Sequence, residues 1–353
     1  MREVRVVLWG LGAMGSGIAR LLSKRRGVQV IGACDINPEL LGKNLYEALD
    51  IPQEGRPDAP ITGDIKKALE QKPVDICVIA THSFVKDVYP KVLEVVDQGV
   101  NVLTIAEEMA WPWAQSPDMA LDMHIMAVKN KVSVLGTGIN PGMMMDLLAV
   151  CLSGAQTELS GVHCERVNSL SPFGRAVMEE QGIGLAPQAF EQGVAEGALA
   201  GHVGFEESIH LMASAFGWPV DEVKTRMRPI ITQVDRKAPH GEASAGQVAG
   251  VDMRALGIIE GEEKITMSHP QQIEPQLAGV ETGDYITLKG RPPIAMAIKP
   301  EVDGGLGTIA MACNCLPFVV AARPGLLTML DLPVPRCVMG DYREIAFPEG
   351  RHA

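Results

Sequence analysis

The sequence predicts an α/β half followed by an α+β half, and three observations carry that expectation. Short apolar runs alternate with amphipathic stretches through about residue 150, and strands flanked by helices at that spacing imply a parallel sheet with helices on both faces. A glycine-rich turn, Gly10-Leu-Gly12-Ala-Met-Gly15, lies between the first apolar run and the first amphipathic stretch. After residue 150 the rhythm changes to strand-like runs broken by one long Ala/Gly/Glu-rich stretch, which suits a mixed or antiparallel sheet.

The elements follow in order. Val4–Trp9 is the first strand, and the helix behind the glycine turn runs to about Leu22. Val28–Cys34 is the second strand and ends at Asp35. Residues 50–62 are rich in Pro and Gly and read as loop. Val74–Ala80 is the third strand, followed by Thr81-His82-Ser83 and a helical pattern through Val96. Gly99–Ala106 is the fourth and Val132–Leu135 the fifth, entering Gly136-Thr-Gly138-Ile-Asn140-Pro-Gly142. In the second half Val162–Val167, Ile230–Val234, Val248–Met253, Lys264–Met267, Tyr285–Lys289 and Ile294–Ile298 read as strands, and Gln181–Phe216 as mostly helical. A last helix runs from about Thr308 to Val320, and Pro324-Gly325 breaks the pattern.

Composition bounds the partners. The 353 residues suit two domains at roughly 100–200 residues each. Hydrophobic residues at 46% and charged residues at 21% can form ordinary globular cores. Thirty-one Lys and Arg against 43 Asp and Glu leave a net charge of −12, which excludes general binding of nucleic acid or an anionic membrane surface. No apolar run is expected to span a bilayer, because Leu316–Leu330 is interrupted by Pro317, Arg323, Pro324 and Gly325. Met1-Arg-Glu-Val-Arg5 runs straight into a short apolar strand, unlike a signal peptide. Seven Cys with no Cys-x-x-Cys pair read as reduced thiols of a cytoplasmic protein. No His/Asp/Glu set has metal-ligand spacing, so no metal is expected.

The chemistry concentrates at strand ends in the first half. Gly10, Leu11, Gly12, Ala13, Met14 and Gly15 follow a strand and open a helix, where Gly10 permits the tight turn, Gly12 lets the backbone reach a diphosphate, and Gly15 lets the helix pack on the strand. Asp35, at the end of the second strand and twenty residues past Gly15, is placed to accept from adenosine ribose hydroxyls. The combination predicts a Rossmann-type doubly wound parallel sheet that binds NAD. A carboxylate repels a 2′-phosphate, yet Arg20 or Lys43 could reach one, so NADP stays open. Ala80, Thr81 and His82 end the next strand and are candidate cofactor contacts, with Thr81 or Ser83 also suited to capping a helix. Glu107 and Glu108 end the one after, where a carboxylate can hold a substrate ammonium, act as base, or simply begin a helix. Asn140 and Pro141 belong to a tight turn at the same edge and are candidates for the nicotinamide end. His269 before Pro270 reads as a turn residue, Asn314 as an interior hydrogen-bonding group, and Met143–Met145 as core.

These motifs, in that order, resemble the dihydrodipicolinate reductase superfamily. Residues 162–176 can be laid against that family's catalytic stretch: the frame Pro172-Phe-Gly174-Arg175-Ala176 survives, while Cys164 and Glu165 stand where two His are usual and Asn168 where a Lys is. Closer is the resemblance to the 2,4-diaminopentanoate dehydrogenase family within it. It runs over nearly the whole chain, most specifically through Gly250–Gly257, Ser268–Ile273, Glu281–Tyr285 and Pro324–Pro333. The resemblance implies NAD(P)-dependent oxidative deamination of a small diamino acid at C4, giving 2-amino-4-oxopentanoate and ammonia in ornithine degradation. It also implies a homodimer or homotetramer. Residues 1–145 are then the dinucleotide-binding domain, rejoined by about 315–353, and residues 146–314 the α+β mixed-sheet domain for substrate and oligomerisation.

That reaction needs a group to deprotonate the amine and activate water, for which Glu107, Glu108, His82 and His163 are candidates. It also needs a forked cation for the substrate carboxylate. Arg175 beside Gly174 is the first choice and Arg166 the second, with Asn140 as a further contact; a surface ion pair is the competing role for either Arg. Two rival functions stay open: a cyclic-imine reductase like dihydrodipicolinate reductase, and a non-enzymatic NAD(H)-binding protein.

Overall fold

The computed structural model describes residues 2–70 and 73–348. In chain order the elements are β1 (Val4–Trp9), α1 (Ala13–Leu22), β2 (Val28–Cys34), α2 (Leu45–Ala48), β3 (Ile61–Thr62), α3 (Ile65–Leu69), β4 (Ile76–Ile79), α4 (Val85–Val96), β5 (Asn101–Thr104), α5 (Pro117–Asn130) and β6 (Ser133–Gly136). Next come α6 (Leu147–Ser153), β7 (Glu158–Ser169), α7 (Arg175–Glu180), α8 (Pro187–Ala195), α9 (Phe205–Phe216), β8 (Glu222–Ile231), β9 (Arg236–Ala238) and β10 (Gly241–Ala243). The rest are β11 (Val248–Ile259), β12 (Glu262–Gln272), β13 (Gly283–Arg291), β14 (Ile294–Ile298), α10 (Gly304–Ala321), β15 (Gly325–Leu327) and α11 (Arg343–Ala346). The chain divides into two compact units: residues up to Met143 together with those from Asp303 onward, and Met144–Val302 between them.

The first unit is built on a parallel seven-stranded sheet in the order β15-β6-β5-β4-β1-β2-β3. All four residues of β4 are buried, as expected of a strand covered on both faces. Val85, Val88, Val92 and Val95 recur at helical spacing on α4 and pack with Met123 and Ala127 of α5 over Val7, Cys77, Val102 and Val134. Strand order reverses at β1, which has β4 on one side and β2 on the other; the crevice at the carboxyl ends of such strands is where open α/β sheets bind ligands.

Helix α10 corrects one expectation. It spans 18 residues with a mean hydropathy of 1.6, long and apolar enough by length and composition alone to cross a bilayer. The apolar run lies upstream of the Pro324-Gly325 break instead of across it. Ten of its residues are buried, and it packs as a core helix. The Cys313 thiol donates to the carbonyl of Ile18 on α1 at 3.9 Å, the Tyr342 hydroxyl donates to the carbonyl of Cys313 at 3.0 Å, and Asn314 Oδ1 accepts from Val338 N at 2.9 Å.

The second unit has a six-stranded sheet in the order β14-β13-β7-β12-β11-β8, antiparallel except for the β7–β12 pair. Ala149 of α6, Phe190 of α8 and Phe205, Ile209 and Met212 of α9 cover one face, packing on Val162, Cys164, Val251, Ala255 and Met267. His163 alternates to the opposite face, as neighbours on a strand must. Two expectations need correction here, and a third is refined. The segment read as a strand at Ile230–Val234 begins much earlier, at Glu222; Glu222, Lys224, Arg226 and Arg228 are exposed on an edge strand, where charge is favoured and an apolar pattern is absent. The stretch 181–216 is two helices, parted by Gly197, Gly201 and Gly204 at positive φ. His269 is not in a turn but inside β12, opposite Met253, and Pro270, which has no N–H, falls where the pairing of β12 with β7 skips from Ser268 to Gln271. In the first unit, β3 occupies the end of the segment read as loop.

The turn after β1 fixes a testable contrast. A Cβ at Gly15 would stand 1.9 Å from the carbonyl oxygen of Gly10, whereas one at Gly12 would meet nothing within 4 Å. Gly15→Ala is expected to lose at least about 1–3 kcal/mol in chemical denaturation, the cost of overpacking, while Gly12→Ala keeps the stability of the parent.

Candidate active site

The site begins at the β1–α1 turn. Gly10 has φ +96°, and a Cβ there would lie 2.6 Å from the carbonyl oxygen of Ala80. The turn is therefore pressed against the end of β4. Helix α1 starts at Gly12 with no side-chain cap and no acid in its first turn, so its leading N–H groups and the positive end of its dipole favour an anion. The Ser16 hydroxyl donates to the Leu11 carbonyl at 2.7 Å and steadies the turn.

Asp35 faces this turn from the end of β2. Its Oδ2 accepts from Leu11 N at 2.6 Å and its Oδ1 from Asn37 N at 2.7 Å. The carboxylate is thus fixed in orientation and tied to the glycine loop. Between the ends of β1, β2 and β4 lies a cleft of about 380 Å³. Gly10, Leu11, Gly12, Asp35, Ala80, Thr81 and His82, all singled out from the sequence, line it, together with Trp9, Ile36, Asn37, Leu40 and Lys91, which were not. Ile36 is 92% exposed at its lip. Lys91, on α4, donates to Thr81 Oγ1 at 2.9 Å, lies 3.0 Å from His82 Nδ1, and sits 5.4 Å from the centre of the Trp9 ring; burial lowers the pKa of its ammonium. Open space at Gly12, an uncapped helix start and a fixed carboxylate together fit a dinucleotide, with the diphosphate at α1 and the adenosine ribose at Asp35.

The other first-unit candidates are placed by the neighbouring strands. Ala13, Met14 and Gly15 form the first turn of α1. Glu107 and Glu108 open a 3₁₀ turn just past β5. Glu108 Oε2 accepts from Val85 N at 2.6 Å, which ties that carboxylate to the start of α4. Asn140 and Pro141 lie beyond β6, joined by a cis peptide, and Ile139 N donates to Thr308 Oγ1 of α10 at 3.3 Å.

The second-unit candidates separate into buried and exposed groups. Arg166 is 2% exposed; its guanidinium pairs with Asp284 and donates to the Val302 carbonyl, and Asp284 Oδ2 accepts from Val302 N at 2.9 Å. That fork is filled by the protein itself. Arg175 opens α7 behind Gly174 and is exposed, with no hydrogen bond or ion pair among the described residues. His163 Nδ1 lies 2.8 Å from Thr266 Oγ1, six residues before the end of β7, about 20 Å along the strand. Asn168 and His269 meet beside Arg166: His269 Nε2 lies 3.0 Å from Asn168 Oδ1, and the His202 ring centre is 4.6 Å from that of His269. The His269 pKa is pushed well below the usual imidazole range, by burial first and then by His202 and the charge of Arg166; that of His202 falls to about 3, again through burial and Arg166. No group of three or more His, Cys, Asp or Glu among the described residues could hold a metal ion.

A parallel sheet gripped at its point of reversal by a glycine turn and a fixed acid is the architecture of a Rossmann-type dinucleotide-binding protein. Comparison with known proteins narrows the class. The family model for the 2,4-diaminopentanoate dehydrogenase C-terminal domain matches residues 143–347. A 2,4-diaminopentanoate dehydrogenase of Acetoanaerobium sticklandii is 48% identical over 352 residues, covering 99% of each chain. An amine dehydrogenase of Streptomyces virginiae is 23% identical over 351 residues, covering 94% of this chain and 96% of that one. The solved amine dehydrogenase of Mycobacterium smegmatis shares the fold at a TM-score of 0.83 and 24% identity, covering 95% of this chain and 97% of its own. The chain belongs to the 2,4-diaminopentanoate dehydrogenase family.

Two measurements test the polar groups of the second unit. Unfolded imidazole takes up a proton near pH 6.5 while folded His269 does not, so stability is complete above that pH and falls as pH drops below it, by up to about 1.4 kcal/mol per pH unit for one imidazole. Denaturation between pH 7 and 5 is expected to show that loss, and His269→Gln is expected to reduce it, leaving the share owed to the buried His202. Asp284→Ala leaves the buried Arg166 charge unpaired and is expected to cost about 3–5 kcal/mol, seen as a large drop in Tm.

Proposed function

We propose that this protein is an NAD(P)-dependent amine dehydrogenase that oxidises 2,4-diaminopentanoate at C4, releasing 2-amino-4-oxopentanoate and ammonia, as a cytoplasmic step of ornithine degradation. The observation that carries the substrate is the near full-length identity of 48% to the Acetoanaerobium sticklandii enzyme, which runs through both units. The balance is amine plus NAD(P)⁺ plus water giving ketone, ammonia, NAD(P)H and a proton. When bound, the nicotinamide supplies the acceptor for the hydride leaving C4.

The residues of this chain supply the rest. Gly10, Gly12 and the first turn of α1 hold the diphosphate, and Asp35 holds the adenosine ribose. His82 shares the cleft with Asp35 and so serves the adenosine end instead of the reacting carbon. The reacting amine must be neutral, and a carboxylate past β5 takes its proton and later directs water onto the imine carbon. Of the pair there, Glu108 accepts from Val85 N and holds the start of α4, and the role of proton carrier is assigned to Glu107, which opens the same 3₁₀ turn. Asn140 and Pro141 flank the nicotinamide end. Arg175 is the cation for the substrate carboxylate, because Arg166 is fully engaged with Asp284 and Val302. The protein works as a homodimer or homotetramer, built on the sheet face of the second unit opposite its helices.

The assay is direct. Purified protein with 2,4-diaminopentanoate is expected to reduce NAD⁺ or NADP⁺ at 340 nm with one ammonia per turnover. Turnover of dihydrodipicolinate alone, or of neither substrate, overturns the assignment. Glu107→Gln is expected to lower kcat by about 10²–10⁴ with nucleotide binding kept, while Glu108→Gln, whose amide oxygen can still cap α4, retains most activity; the opposite result transfers the role to Glu108. Arg175→Ala is expected to raise KM for the diamino acid with little change in cofactor affinity, and an unchanged KM removes Arg175 from the site.

A further inference from the structure

The cofactor cleft holds a cation that the proposed binding of NAD leaves without a counter-charge. Lys91 is the one Lys or Arg lining it among the described residues. Its ammonium is held by Thr81 Oγ1 at 2.9 Å, by the nearby His82 Nδ1 at 3.0 Å and by the Trp9 ring. None of these partners is a carboxylate, and none of the described carboxylates forms an ion pair with it; Cys34 and Asp87 act on it only through space. A partly buried charge held by no carboxylate gains most from an anion that arrives with a ligand.

Position within the cleft limits which anion that is. The diphosphate is accounted for by the uncapped start of α1 and the open space at Gly12. Lys91 lines the same cleft as Asp35 and the exposed Ile36, from the β4 side, where Thr81, His82 and Trp9 hold it. Beyond the diphosphate, the only anionic group a pyridine dinucleotide can carry is a 2′-phosphate. Arg20 and Lys43, the two cations that the sequence offered for that group, do not line the cleft, and Arg20 Nη1 points to the carbonyl of Asp50 at 3.4 Å. Asp35 is no free-swinging anion either, since both of its oxygens accept backbone N–H groups.

We propose that Lys91 is the specificity residue for the 2′-phosphate, admitting NADP to a cleft whose Asp35 would otherwise restrict it to NAD. This rests on the cofactor assignment above and adds a division of labour: Asp35 serves the ribose diol of NAD, and Lys91 serves the phosphate of NADP. Discrimination between the two is then the balance of two fixed opposite charges on one cleft, and it weakens with salt.

The test is equilibrium binding of NADH and NADPH by calorimetry at low and high ionic strength. Lys91→Met is expected to raise the Kd for NADPH at least tenfold and that for NADH less than threefold, with the difference shrinking in salt, and Lys91→Arg is expected to restore NADPH binding. Should Lys91→Met fail to fold, the parent protein still decides the matter: it is expected to bind adenosine 2′,5′-bisphosphate at least as tightly as adenosine 5′-monophosphate. Equal weakening of both cofactors, undiminished NADPH binding, or a parent that prefers the monophosphate overturns the assignment of Lys91. A parent that binds neither NADH nor NADPH overturns the cofactor assignment itself, before any variant is made.

Discussion

The approach of two backbones sets the rest of the cofactor unit. Gly15 lies so close to the carbonyl of Gly10, and Gly10 so close to that of Ala80, that a single methyl group at either position would collide with main chain. This contact locks the start of α1 against the ends of β1 and β4, at the place where the strand order reverses. Once it is made, the leading N–H groups of α1 point into the cleft, and Leu11 N is in reach of Asp35. The anion-favouring helix end and the carboxylate therefore do not arise independently. They are two results of one close packing.

Several polar groups that resemble catalytic machinery serve the scaffold. Glu108 ends a strand at the expected edge yet accepts from the backbone of α4, and Arg166 has the fork suited to a carboxylate yet spends it on Asp284 and Val302. His269 is held neutral inside a sheet. The proposed chemical roles fall to residues beside these anchored ones. Glu107 follows the same strand end as Glu108, and Arg175 lies at the start of a helix, exposed where Arg166 is enclosed. Anchored neighbours of this kind hold the strand ends and turns in place without competing for substrate.

The first unit was legible because local rules decide its form. The limits of β1 and β2 coincide with their apolar runs, since strands covered on both faces are built mostly of apolar residues. The glycine spacing and Asp35 announced the cleft for the same local reason. What escaped depended on contacts distant in sequence. Lys91 is one residue on an amphipathic helix, and nothing in its spacing from Thr81 shows that its side chain turns back over Trp9. The charged edge strand β8 lacked the apolar alternation that marks an inner strand, and His269 before a proline looked like a turn because the gap in the β7 pairing that accommodates Pro270 is a property of three strands together. Arg166 could not be distinguished from Arg175 until Asp284, 118 positions away, was found beside it.

The outer strand β15 pairs with β6, although 188 residues separate Gly136 from Gly325. The middle unit, by contrast, is one unbroken stretch of chain. During synthesis on the ribosome, the inserted unit has all of its strands in hand while the nucleotide-binding sheet still awaits its border strand and α10. The exposed flank of β6 stays unsealed until Gly325–Leu327 has been made. Maturation of the coenzyme site is thereby coupled to translation of the stretch from Asp303 through Leu327, and a product cut off before it would carry a complete inserted unit beside an incomplete redox one.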